Sequence, residues 1–144
     1  MELTPHDQEQ YDALTTSMST VLKSMTDPHL APNTRMQLSD ELNGILAKRQ
    51  AIIYRNKPKD ERSPEDREVD NLFKSIETIE NDIYGMIEQE EVIKRALGST
   101  GDRPMNYKMK VLFGDITRAI RRIASIQNGE INLEQERQEQ TAVS

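Results

Sequence analysis

Apolar side chains recur along the chain at alternating spacings of three and four residues, the repeat of a helix that buries one stripe. The longest run extends from Val69 to Leu97. Ser63-Pro64-Glu65-Asp66 before it is typical of a helix start, and Gly98 after it is typical of a helix end. The pattern predicts four helices, at residues 5–26, 34–56, 64–97 and 105–128. The packing stripe of the third helix contains Leu72, Ile76, Ile79, Ile83, Ile93 and Leu97.

This pattern predicts an all-α fold, either a helical bundle or two tandem antiparallel coiled-coil hairpins, with one long third helix. Residues 1–129 form a single four-helix domain in this interpretation, and residues 130–144 form a polar C-terminal tail. The first and third helices are acidic and the second and fourth are basic, which favours pairing of consecutive helices. The cap sequences at Thr4 and Ser63 begin similar stretches, which either a duplication or the shared demands of helix capping explains.

The third helix exceeds its neighbours by about ten residues, or ~15 Å at the helical rise. Its last apolar side chains, Val92, Ile93, Ala96 and Leu97, are therefore expected to lack a cover within the chain. Exposed apolar stripes mark association surfaces. We expect the chain to bind a second copy of itself, another protein, or both.

The composition excludes several classes of chemistry. There is no cysteine, so disulfides and thiolate metal sites are absent. No apolar run approaches the ~20 residues that span a bilayer, so we expect a soluble, cytoplasmic protein without membrane contact (host cytoplasm if viral). The sequence lacks a nucleophile motif, a glycine-rich phosphate loop and a metal-ligand spacing at its histidines. We therefore expect no enzyme, no catalytic, cofactor or metal-binding residues, and no small-molecule substrate.

One group of cations offers a contact for an anionic partner such as nucleic acid. It comprises Lys108, Lys110, Arg118, Arg121 and Arg122 on the fourth helix. The alternative is a solvated face that pairs with the acidic third helix. A net charge of −6 and only 4% aromatic residues favour this alternative.

Two charged residues, Arg49 and Glu90, occupy positions where the repeat calls for apolar side chains. Buried charges at such positions fix register or oligomeric state at a cost in stability. Alternatively, the stripe drifts onto neighbouring apolar residues, Leu46 and Ile53 beside Arg49, and Ile87 and Val92 beside Glu90. We favour this alternative, in which neither charge lies in the packing stripe.

Residues 41–91 combine the later part of the second helix, from Glu41-Leu-Asn-Gly-Ile-Leu onward, a charged turn, the cap at Ser63, and a third helix rich in Leu, Ile and Glu. This arrangement resembles the N-terminal scaffolding (delta) region of major capsid proteins in tailed bacteriophages. The resemblance implies a coiled-coil hairpin that guides shell assembly, with no catalytic residues to transfer. It covers about a third of the chain. Two features depart from the family's pattern: we expect no shell-forming domain after the hairpin, and the chain has a second predicted hairpin.

These observations lead to one functional expectation and two alternatives. We expect a non-enzymatic protein–protein interaction or assembly protein that self-associates through its heptad stripes and resembles a phage scaffold. The first alternative is a nucleic-acid-associated regulator that uses the basic fourth helix. The second is a small inhibitor of a larger machine that acts through the hairpin tip at residues 57–66.

Overall fold

The structure, a computed structural model, is all-α, as predicted. It describes residues 3–57, 63–98, 107–133, 135–136 and 138–139. Within these ranges there are four long helices and no β-strand. The helices are α1 (Pro5–Ser24), α2 (Pro32–Arg55), α3 (Pro64–Leu97) and α4 (Tyr107–Gln127).

Local capping explains where α1 and α3 begin and where α3 ends. The Thr4 side chain accepts a hydrogen bond from the Asp7 backbone N–H at 3.2 Å. Ser63 and Asp66 form a reciprocal capping box, in which each side chain accepts from the other residue's backbone N–H. At the other end of α3, Gly98 adopts a left-handed conformation with φ of 66°, which a residue without a side chain accepts at little cost. α3 therefore has the predicted bounds.

The other helices differ from the predicted bounds by one or two residues at their ends. α2 begins at Pro32, two residues before the predicted start, because proline fits the first helical position, where no intrahelical N–H bond is lost. α1 ends at Ser24 instead of residue 26. α4 ends at Gln127, and its predicted first residues, 105–106, lie outside the described part of the chain.

The helices pair as two consecutive hairpins. α1 packs mainly against α2, and α3 packs mainly against α4. Arg55 at the end of α2 binds Asp7 at the start of α1 at 2.5 Å, and Arg122 near the end of α4 binds Glu68 near the start of α3 at 2.8 Å. Both ion pairs join opposite helix ends, so both hairpins are antiparallel. α2 also contacts α4 and α3 and thereby joins the hairpins into one bundle.

One apolar cluster with members from all four helices forms the core. Its largest fully buried aliphatic side chains come from α2, α3 and α4: Leu42, Leu46, Ile76, Ile83, Ile116, Ile120 and Ile123. Burial of each such side chain contributes about 1.5–3 kcal/mol relative to full exposure. The hydrophobic stripes read from the sequence are therefore the main source of the bundle's stability.

The described part of the C-terminal segment packs on the bundle. Ile131 packs against the core, and the Leu133 N–H donates to the Glu65 side chain at 3.1 Å. Asn132 accepts from the Gln135 N–H, as an N-cap residue does, and the described residues between 133 and 139 are helical. The segment predicted as a polar tail thus returns to the start of α3.

Candidate functional site

The end of α3 exposes apolar side chains. Val92 is 60% exposed, Ile93 39% and Leu97 73%. Ala96 is exposed beside them. We call these four residues the α3 apolar end. A shallow groove lined by Gly85, Glu88, Gln89, Val92 and Ile93 leads into it.

The helix geometry explains why this surface is left uncovered. Val92 lies nine residues after the buried Ile83, and nine residues at about 100° each turn the helix by half a rotation. Val92 therefore lies on the face opposite the core. Leu97 lies fourteen residues after Ile83, close to the core-facing side of the same helix, yet most of it is exposed. The bundle therefore covers α3 at Ile83 and no longer covers it at Leu97.

The exposed segment is a well-formed helix. Lys94 and Arg95 lie in its last turn, where positive charge complements the helix dipole. Lys94 also lies 4.0 Å from Glu91, one turn earlier. Together with the Gly98 cap, these contacts hold the last turns of α3 in helical form. The α3 apolar end is therefore presented on a regular backbone.

The six side chains predicted to carry helix packing divide into two groups. Ile76 and Ile83 are fully buried in the core, and Leu72 and Ile79 pack against it while partly buried. These four stabilise the chain's own fold. Ile93 and Leu97 are exposed and available to another molecule.

The basic group on α4 does not form one cationic surface. Arg122 bonds to Glu68 and Glu136, and these two carboxylates raise its pKa. Arg118 pairs with Asp115 one turn earlier. Lys108, Lys110 and Arg121 are exposed. Two members of the group, Arg118 and Arg122, therefore pair with acidic residues of the chain itself, and one of these residues, Glu68, lies on α3.

Arg49 is fully buried, with 0% exposure. Its guanidinium donates to the Tyr11 hydroxyl and the Asn128 side-chain oxygen at 2.5 Å each, and to Met18 Sδ at 3.0 Å. It also stacks over the Tyr11 ring at 4.5 Å. Among the described residues no carboxylate pairs with it. The favoured interpretation, in which the stripe drifts away from Arg49, is therefore wrong: the charge lies inside the bundle and joins α1, α2 and the end of α4.

A pair of carboxyl groups, Asp40 on α2 and Glu80 on α3, meets between the two hairpins. The Glu80 carboxyl accepts hydrogen bonds from the Ser39 hydroxyl and the Asn43 amide, and the Tyr84 hydroxyl donates to Asp40 at 2.9 Å. Burial raises the pKa of Glu80 to about 7, and the hydrogen bond and negative charge of Asp40 act in the same direction. The Glu80 carboxyl therefore binds a proton more readily than an exposed glutamate does, and its protonated form can donate a hydrogen bond to Asp40. Sequence reasoning missed this pair, because forty residues separate its members.

The carboxylates at the starts of α1 and α3 hold the end of α2 between them. Asp7 binds Arg55, whose hydrogen bond is the main cause that lowers the pKa of Asp7, and it also accepts from Asn56. Asp66 binds Lys57 at 2.7 Å. Burial alone would raise the pKa of Asp66, but hydrogen bonds from Lys57 and the Ser63 N–H outweigh it, and the pKa is lowered.

The inhibitor hypothesis concerns the turn between these two ion pairs. Residues 58–62 of the hairpin tip lie outside the described residues. The described members Lys57, Ser63 and Asp66 are engaged in the cap of α3. Asp66 is thus a structural residue, and reversing its charge would disturb the fold as well as any binding by the tip.

In the part of the chain that the structure describes, no three His, Asp or Glu side chains are placed to hold a metal ion. Over the same residues, no helix combines the length and the apolar character needed to cross a membrane.

Comparison of the chain with protein-family models, with curated proteins and with solved structures finds no significant match. The class of protein that the structure defines is an all-α helical bundle with an exposed apolar helix end.

Proposed function

We propose that this chain is a non-enzymatic helical interaction and assembly protein that associates with itself through the α3 apolar end. The observation that carries the proposal is the exposure of Val92, Ile93 and Leu97 on a capped, regular helix. Water contact with these side chains is unfavourable by roughly 25 cal/mol per Å² of apolar area, so a second helix that covers the face around Val92 is stabilised there. Ile93 and Leu97 continue the heptad stripe whose earlier members form the chain's own core.

The resemblance of residues 41–91 gives the assembly role its most specific form, a scaffold-like protein for a bacteriophage shell. α2 and α3, the two helices of that segment, are joined by side-chain hydrogen bonds from Gln50 to Asp66, from Tyr54 to Asp70 and from Asn43 to Glu80. α2 and α3 belong to different hairpins of the bundle, and the projecting end of α3 suits such a role, since it offers a contact through which copies of the chain can associate. This form of the proposal depends on the resemblance, whereas self-association depends on the exposed side chains alone.

Sedimentation velocity over about a hundredfold range of protein concentration tests the proposal. We expect a concentration-dependent shift from monomer to a larger species. Val92→Lys should abolish the shift, because a charge on the exposed helix face resists desolvation. Val111→Lys is the matched control, since Val111 is an exposed valine on α4, 41% exposed, outside the α3 apolar end.

Two outcomes would contradict the proposal. One is a wild-type chain that remains monomeric over the whole range. The other is self-association that Val92→Lys leaves unchanged. Circular dichroism and thermal melting of both variants show that the fold is retained, which is expected because neither valine lies in the core.

A further inference from the structure

One negative and one positive side chain, both exposed, lie beside Val92 on α3. Glu88 and Arg95 are both exposed and lie seven residues apart, which places them on the same side of the helix about 10 Å from each other. That distance is too long for a direct ion pair between them. Neither side chain has an ion-pair partner among the described residues. Along the helix axis they lie on either side of Val92, Glu88 four residues before it and Arg95 three residues after it.

We propose that two copies of the chain pair through the ends of α3 in an antiparallel arrangement, with a two-fold axis near Val92. This inference rests on the proposed function and specifies its partner and geometry. A two-fold axis midway between Glu88 and Arg95 places Glu88 of each copy opposite Arg95 of the other, which forms two equivalent ion pairs. A parallel pair in register brings neither Glu88 nor Arg95 opposite a charge of the other sign.

The helix between these charges suits close packing. Gly85 lies in the groove that leads to Val92, and a Cβ atom built on it would meet nothing within 4 Å. A glycine on an exposed helix face leaves the backbone open to a neighbouring helix. The paired segments extend about 20 Å, which is short for an interface, so we expect a dimer with a Kd in roughly the micromolar range or weaker.

Charge reversal tests the pairing directly. Glu88→Arg and Arg95→Glu should each weaken the homodimer about tenfold, because like charges then oppose each other across both contacts. A mixture of the two variants should form a heterodimer within about threefold of the wild-type affinity, because both contacts regain opposite charges. The rescue should shrink as salt is raised, since the pairs are exposed. Single variants that dimerise like wild type, or a mixture that shows no rescue, would overturn the antiparallel pairing.

Cysteine cross-linking gives a second, independent readout, since the chain contains no cysteine. Val92→Cys should form a disulfide-linked dimer on mild oxidation, because the two positions meet near the axis. Gly85→Cys should not, because in the antiparallel pair the two positions lie about 20 Å apart along the helices. Efficient cross-linking through Gly85→Cys would indicate a parallel pair and overturn the inference.

The two proposals fail in different ways. A wild-type chain that stays monomeric contradicts both of them. A wild-type chain that associates in a Val92-dependent manner, without rescue in the mixture, contradicts only the antiparallel geometry.

Discussion

Replacing Glu80 by glutamine tests whether protonation of the Glu80 carboxyl makes the bundle's stability depend on pH. Glutamine resembles the protonated carboxyl group in shape. Its oxygen can accept from Ser39 and Asn43, as the Glu80 carboxyl does, and its amide can donate to Asp40. Glu80→Gln therefore retains the contacts of the neutral state at every pH.

The direction in which stability changes with pH follows from proton binding in the folded and unfolded chains. The pKa of Glu80 rises from 4.5 to about 7 on folding, so between these values the native state binds more protons than the unfolded state. The stabilisation from the protonated Glu80 carboxyl is present in full below pH 4.5, the pKa in the unfolded chain. It is lost as the pH rises through about 7, the pKa in the folded chain. At 1.36 kcal/mol per pH unit the full effect is about 3 kcal/mol. Because the carboxyl group keeps contact with solvent, we expect about 1–2 kcal/mol.

Urea denaturation followed by circular dichroism, at about pH 5 and about pH 8, measures the effect on dilute protein that is monomeric. The wild-type free energy of unfolding should fall by about 1–2 kcal/mol between the two conditions, and that of Glu80→Gln should change less. Glu77→Gln is the control, since Glu77 is an exposed carboxylate one turn earlier on α3. The lowered pKa values of Asp7 and Asp66 act in a separate window, because their stabilisation is lost only as the pH falls through those values, below 3.8.

A Glu80→Gln variant with the same loss of stability between the two conditions as wild type would refute the reasoning. A variant less stable than wild type at the higher pH would refute it as well, since that result would mean that the ionised carboxylate stabilises the contact between the hairpins.

The remaining predictions concern the core, an exposed helix position and the basic group. Arg49→Met should be at least as stable as wild type in urea denaturation and about 2 kcal/mol more stable than Arg49→Ala, because methionine fills the site without a buried charge. A large loss in the free energy of unfolding of Arg49→Met would indicate a counter-charge for the guanidinium. Ile83→Ala should lower the free energy of unfolding by about 2–5 kcal/mol, and a loss below ~1 kcal/mol would contradict its place in the core. Gly85→Ala and Gly44→Ala should each raise the free energy of unfolding by about 0.5–1 kcal/mol, since both glycines are exposed within helices. Only Gly85→Ala should also change self-association in sedimentation. Equal association of the two variants would contradict close approach of a second helix at Gly85. Filter binding at ~50 mM salt should detect no affinity for duplex or single-stranded nucleic acid, because part of the basic group already pairs with carboxylates, and clear binding there would favour a nucleic-acid role.

The sequence predicts those features that neighbouring residues determine. α3 has the predicted bounds because a capping box sets its start and a left-handed glycine sets its end. Each of these signals lies within four consecutive residues of the sequence. The stripe that contains Ile76 and Ile83 is buried because its repeat matches the helical period. The exposure of Leu97 was predictable as well, since it follows from the lengths of the helices.

Features that depend on contacts between distant segments were not predictable. The burial of Arg49 requires Tyr11 from α1 and Asn128 after α4, and no local pattern connects them. The Glu80 carboxyl meets Asp40 only because α2 and α3 pack at that point. The contact of Leu133 with Glu65 likewise depends on where the chain returns after α4. In each case a polar group has a tertiary partner that hydrophobic periodicity does not record.

The arrangement around the end of α2 has a consequence for how the molecule unfolds. Asp7 and Asp66 begin helices of different hairpins, yet both are held by residues at the same place, Arg55 to Lys57. Loss of the first hairpin would remove Lys57 from the cap of α3, and loss of the second would leave Lys57 without its carboxylate. The two halves of the chain therefore depend on each other and should melt in a single cooperative transition, although each is built as a separate pair of helices.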